Sequence, residues 1–233
     1  MRHALTVAFF LAASCVANAQ SIGPHSALAR EHPDLQKLFN EYRIYAPAFE
    51  KYAHRQGFRK PVEQLATVVH EMVHVASARH QGFFIHGTFY EPYVAASAWP
   101  RLSNRDVMPQ MLLPEKGLMH SVYMAATPDN RLGNIIDELN AYAHVMPFVC
   151  RHERESAEKQ VRNVVGLLHI VEAYLRVARI VSPGEYAALL ANRASAGAIA
   201  TITQNAWSAL AGCGLPRAMV PRSETEAFLA RLG

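Results

Sequence analysis

Three cysteines in 233 residues are too few for a disulfide scaffold. The chain has no run of lysine and arginine that could track a phosphate backbone. Its 23 basic and 19 acidic side chains are scattered, so the excess of four positive charges and the pI near 9.1 read as ordinary solubility. Nucleic acid is not expected as a partner. An uninterrupted apolar stretch of the ~20 residues that a membrane-spanning helix needs is also missing. Internal repeats, low-complexity tracts and linkers are absent too, which argues against a solenoid or a disordered tail. What is present is an apolar fraction of 51%, enough for one well-buried core.

The amino end reads as a leader. Met1-Arg2-His3 is a short basic start, Ala4 to Val16 is apolar, and Ala17-Asn18-Ala19 has the small-x-small pattern of a signal-peptide cleavage site. A lipid-modified Cys15 is the rival, but it would want a branched apolar residue at position 12, which is Ala12. Cleavage after Ala19 predicts an exported protein, periplasmic or secreted, with no membrane span. It removes Arg2 and Cys15 and leaves Cys150 and Cys213 as an even pair. In an oxidising compartment these could form a disulfide closing a loop of roughly 60 residues, worth about 4 kcal/mol. The alternative is two buried thiols.

The pattern predicts one mainly α domain with a small β element (α+β) over residues 20–233. Ser26 to Tyr52 is expected to be helical, with a break near Ala46-Pro47. Pro61 opens a second helix, whose buried side is marked by Leu65, Val69, Met72, Val73 and Ala76 and which stops at Gly82. Gly82 to Val94 is rich in strand formers, and Gly117 to Ala125 is a second strand candidate. Trp99 to Glu115 reads as an irregular connection with a short helix. Helix resumes at Leu132 and runs almost to the end, with Ser156, Ser182 and Ser223 as N-caps and Glu185 and Glu226 completing capping boxes. Val161, Val164, Leu168, Val171, Leu175 and Ala178 form a core stripe.

The second helix carries His70-Glu71-Met72-Val73-His74, an H-E-x-x-H. Residues four apart lie one turn above each other, so both imidazoles can grip one ion. Glu71 then stands beside the metal rather than on it, where it can take a proton from an activated water. A catalytic zinc takes three protein ligands and keeps a fourth position open. Glu138, in Asn134-Ile-Ile-Asp-Glu-Leu-Asn-Ala-Tyr142 on a later helix, is the preferred third ligand. His80 is the alternative, at the spacing of the third histidine in a metzincin. That spacing needs a sharp turn at position 77, where Ser77 stands instead of glycine. If the helix continues, His80 points about 120° away from the metal face.

These two motifs, about a tenth of the chain, resemble those of the gluzincins, in which an H-E-x-x-H helix is completed by a glutamate on a later helix. The resemblance implies a zincin metallopeptidase holding one Zn²⁺ on His70, His74 and Glu138, with Glu71 as general base. Gluzincins usually place a sheet before the H-E-x-x-H helix, whereas this chain is helical there. A substrate strand would have to come from Phe83 to Tyr90 or Met119 to Met124, pairing with a peptide by strand addition. Asp137 could orient an imidazole or be a surface carboxylate, and Tyr142 could stabilise an oxyanion or belong to the core. His120, Tyr123 and His144 have the same two readings. His169 and Glu172 have metal-compatible spacing, but a polar helix flank explains them equally.

The expected activity is hydrolysis of a peptide or protein substrate by an exported zinc enzyme. The rivals are a non-catalytic exported protein that keeps the metal or the fold for structure, and a zinc amidase acting on a non-peptide amide.

Overall fold

Proline decides where many of the helices begin. Helices α1 (Pro24–Glu31), α2 (Pro33–Tyr42), α3 (Ala46–Arg55) and α4 (Pro61–His80) each carry proline in the first turn, where its missing N–H costs nothing. The computed structural model describes residues 23–232 except Pro92; the expected leader and Cys15 lie outside the described residues. The helix expected from Ser26 to Tyr52 is broken not only before Ala46 but also at His32, whose extended φ of −137° follows from the clash that Pro33 imposes on its predecessor.

Helix α4 runs straight through Ser77 and ends at Gln81 in the left-handed region, φ 52°. The chain then forms a hairpin of β1 (Phe83–Ile85) and β2 (Thr88–Tyr90), paired antiparallel with Phe83 opposite Tyr90. Its two-residue turn, His86-Gly87, has positive φ at both positions, 48° and 79°, as a right-twisted hairpin requires. Ser77 ties the hairpin to the helix by accepting a bond from the Phe84 N–H at 3.0 Å.

The connection after the hairpin is irregular, as expected, with one short helix, α5 (Asn104–Val107). The second strand candidate is not a strand. Leu118–His120 is a helical turn, α6, and Ser121–Ala125 continues it as a π-helical turn. Strand formers in sequence need a sheet edge to pair with. This segment instead has helical neighbours, and the buried Asn104 amide donates to the carbonyls of Tyr123 and Thr127 at 2.7 and 2.6 Å.

Five helices complete the chain: α7 (Leu132–His152), α8 (Arg154–Val181), α9 (Pro183–Ala191), α10 (Arg193–Gly212) and α11 (Ser223–Leu229). The protein is mainly α with a small β element. Among the described residues no helix is long and apolar enough to cross a membrane. Helix α7 is buried on two sides. Ile135, Ile136, Leu139 and Met146 join a core shared with α8 and α10, while Ala141, Val145, Phe148 and Val149 join a second core shared with α1 to α4. Cys150 and Cys213 form a disulfide with Cα atoms 5.5 Å apart, which ties the end of α7 to the end of α10.

The expected caps are corrected. Ser156 lies inside α8, which starts at Arg154, and its hydroxyl donates to Glu63. Ser182 does stand at the N-cap of α9 but makes no side-chain cap bond, and Glu185 instead accepts from the Arg101 N–H at 2.8 Å. At α11 the capping acceptor comes from elsewhere in the chain. Buried Glu172 accepts from the N–H groups of Glu224 and Thr225 at 2.7 and 2.9 Å and from the hydroxyls of Ser223 and Thr225. A carboxylate at a helix N-terminus meets both the free N–H groups and the positive end of the dipole.

Two stability predictions follow from these ties. Glu172→Ala leaves buried N–H groups at α11 unpartnered and should lower unfolding stability by about 3 kcal/mol; an unchanged urea midpoint would contradict the capping role. Replacing both Cys150 and Cys213 with alanine should cost about 4 kcal/mol through the freed unfolded chain, read from the same denaturation curve in oxidising buffer.

Candidate metal centre

The site forms where α4 crosses α7. Both helices are held by apolar faces, Val69, Met72 and Val73 on one and Ile135, Ile136 and Leu139 on the other, all at most 1% exposed. That packing fixes the rotation of each helix and so the direction of its polar residues. From α4, His70 and His74 project one turn apart, with their Nε2 atoms 3.2 Å from each other. From α7, Glu138 brings Oε2 to 3.5 Å from His70 Nε2 and 3.7 Å from His74 Nε2.

These three distances are compatible with donors placed around a single ion. Tetrahedral donors at about 2.0–2.1 Å from zinc lie about 3.4 Å apart, and the observed edges of 3.2, 3.5 and 3.7 Å bracket that value. The buried Glu138 Oε2 has no hydrogen-bond partner among the described residues, a costly state for a carboxylate oxygen and one that a cation would relieve. The group can therefore hold a metal ion.

Asp137 and Tyr93 orient His74 from behind. His74 Nδ1 lies 2.7 Å from Asp137 Oδ2, which also accepts from the Tyr93 hydroxyl at 3.1 Å. A proton held on Nδ1 by Asp137 leaves the Nε2 lone pair facing the cluster, the tautomer a ligand needs. The Tyr142 ring stands edge-on to His70 with centroids 4.5 Å apart, and its hydroxyl is 3.4 Å from that of Tyr123.

The charges answer one another. Burial alone would lower the His74 pKa, but the carboxylates of Asp137 and Glu138 outweigh it and hold it well above the ordinary imidazole value. Burial would likewise raise Glu138, yet the facing imidazoles of His70 and His74 keep its carboxyl far below the usual range. Burial and then Asp137 push the Tyr93 hydroxyl up, so it stays a donor.

His70, Glu71, His74 and Glu138 share one cleft of about 460 Å³. Of the other sequence candidates, Tyr123 and Tyr142 also line it. His80 does not join the cluster; its ring stacks on Phe89 at 3.8 Å, because α4 continues through position 77. His144 bonds the Asn140 carbonyl through Nδ1 at 2.8 Å, and burial lowers its pKa to about 4. His120 does not line the cleft, Glu172 is the α11 cap, and His169 borders a neighbouring groove. Neither expected substrate strand serves as one: no residue of the hairpin lines the cleft, and residues 118–125 wall it as helical turns.

Sequence reasoning missed Tyr93, Tyr52 and the polar stretch Lys159, Gln160 and Asn163 that α8 presents to the cleft. The available signal was the break that Asn163 makes beside an otherwise apolar stripe. Compared with known proteins, the chain matches no family model, and no curated protein and no solved structure matches it.

Since metal must displace the proton that the carboxylates hold on His74, zinc affinity should rise with pH through the neutral range. Isothermal titration at pH 6 and pH 8 checks this, and equal affinities would contradict it. Asp137→Ala should weaken zinc by about 10- to 100-fold while leaving one site per chain.

Proposed function

We propose that this chain is an exported zinc-dependent metallopeptidase of gluzincin-like type. The observation that carries the reading is the convergence of His70 Nε2, His74 Nε2 and Glu138 Oε2 in a cleft that Glu71 also lines. The donor set favours zinc: two imidazoles and one carboxylate suit a borderline-soft ion, and three protein ligands leave the open position that catalysis needs. When bound, zinc supplies Lewis acidity, polarising a carbonyl and acidifying a water.

The chain's own residues do the rest. Glu71 follows the first ligand directly, so it reaches the cleft without being drawn into the ligand set. It accepts the proton of the attacking water and returns it to the leaving amine. Asp137 and Tyr93 keep His74 in one tautomer, and the apolar packing of α4 on α7 prevents the ligands from drifting apart. Tyr142 and Tyr123 place hydroxyl groups on the cleft wall, where they can hydrogen-bond a substrate oxygen as charge develops on it. The disulfide supports export, since such bonds persist in oxidising compartments.

Glu71→Gln tests the mechanism. The variant should bind zinc with unchanged stoichiometry and lose hydrolysis of an unstructured protein by about 100-fold or more, as measured by release of new amino termini. A variant as active as the wild type would sink the role of Glu71. Zinc binding without hydrolysis by the wild-type protein would instead favour a non-catalytic metal protein.

A further inference from the structure

A second groove of about 450 Å³ opens beside the metal cleft, bounded by Pro114, Leu118, Val161, Val165, Leu215 and Met219. Leu118, Met119 and Asn163 line both spaces, so one extended molecule can pass from the cleft into the groove. The groove has fixed walls. Buried Glu115 accepts from Arg176 with both carboxylate oxygens, at 2.9 and 2.6 Å, and from the Leu112 N–H, which fixes the turn that carries Pro114. Gly166 lets Met119 seat against α8, where a Cβ would meet the Met119 Cγ at 2.6 Å. Leu118 and Met219, at the lips, are 68% and 64% exposed. A concave, mainly apolar space of this size with a few polar groups on its wall is what a ligand site commonly offers.

The junction of cleft and groove carries the second observation. Asn163 is only 5% exposed, yet its side-chain amide bonds to no other described residue. That amide is open to the space where cleft and groove meet, so it offers a donor and an acceptor to a molecule lying there. A polypeptide backbone offers this pair, one C=O and one N–H, and a hydrocarbon chain offers neither.

We propose that the groove is a substrate subsite that takes a bulky apolar side chain of an extended polypeptide, with Asn163 hydrogen-bonding the polypeptide backbone where it leaves the metal cleft. This names the substrate class of the proposed peptidase and rests on that reading. The preferred substrates are unfolded or extended segments bearing leucine or phenylalanine a few residues from the bond that is cut. Strand addition is not required, since helical walls and one amide hold the chain.

Binding can be measured without turnover. Zinc-loaded Glu71→Gln protein is titrated into a fluorescein-labelled ten-residue peptide containing leucine and phenylalanine, and into its twin with serine at those positions, by fluorescence anisotropy. The apolar peptide should bind at least 10-fold tighter. Val165→Glu and Met219→Glu, each checked for an unchanged melting curve, should erase that preference, and Asn163→Ala should weaken both peptides alike. Equal binding of the two peptides, no binding of either, or a preference that survives both groove variants would overturn the proposal. So would competition by a lipid vesicle, or a dimer that Met219→Glu dissociates, because either assigns the groove to another occupant. Hydrolysis of the same peptides by the wild-type protein is read separately: failure to cut them bears on the catalytic reading, whereas the anisotropy bears on the groove.

Discussion

A carboxylate oxygen buried without a hydrogen bond must be answered by positive charge, and the arrangement around Glu138 follows from that requirement. Its Oε2 faces the Nε2 atoms of His70 and His74, and Asp137 holds His74 from the other side. Two carboxylates and two neutral imidazoles carry a formal charge that one divalent cation cancels, while a single proton on His74 cancels only half of it. The raised pKa of His74 and the depressed pKa of Glu138 are two expressions of the same imbalance. Metal binding would resolve it and release the proton.

Such a cluster survives only on rigid supports, because drift would let water or a misplaced charge relax it. Helix α7 supplies the support through its position between two cores, one shared with α8 and α10 and one with α1 to α4. Glu138 is thus held by packing on both sides of its helix. The disulfide at the end of α7 and the Glu172 cap on α11 lie away from the cleft but stabilise the elements that frame it. The cleft walls come from the end of α3 and the turn after it, from α4, α7 and α8, and from the helical turns of residues 118–125. A π-helical turn in such a wall is common near functional sites, since it re-aims side chains that a regular helix would point elsewhere.

The sequence made the central helix pair legible because local rules act strongly there. Pro61 set the start of α4, the spacing of His70 and His74 set a shared face, and the polar Glu138 on a half-buried helix stood out. The break at His32 is equally legible from Pro33, although the apolar periodicity runs on across it. Residues 117–125 depart from the strand expectation because Val122, Tyr123 and their neighbours favour strands only when a sheet edge is available, and the hairpin does not offer one there. The caps depart from expectation for a related reason. A serine before a helical pattern signals a local cap, but α11 takes its acceptor from Glu172, far away in sequence. The roles of Tyr93 and Asn163 are tertiary as well, since nothing within a few residues of either announces Asp137 or the cleft.

The central claim is that one ion is bound by two imidazoles from α4 and one carboxylate from α7. X-ray absorption at the zinc edge of the zinc-loaded protein tests it most directly. The account predicts a four-coordinate shell of nitrogen and oxygen at about 2.0–2.2 Å with the outer-shell scattering of two imidazoles, and loss of that shell in Glu138→Ala. A sulfur shell near ~2.3 Å, a spectrum without imidazole scattering, or an identical spectrum for Glu138→Ala would contradict it.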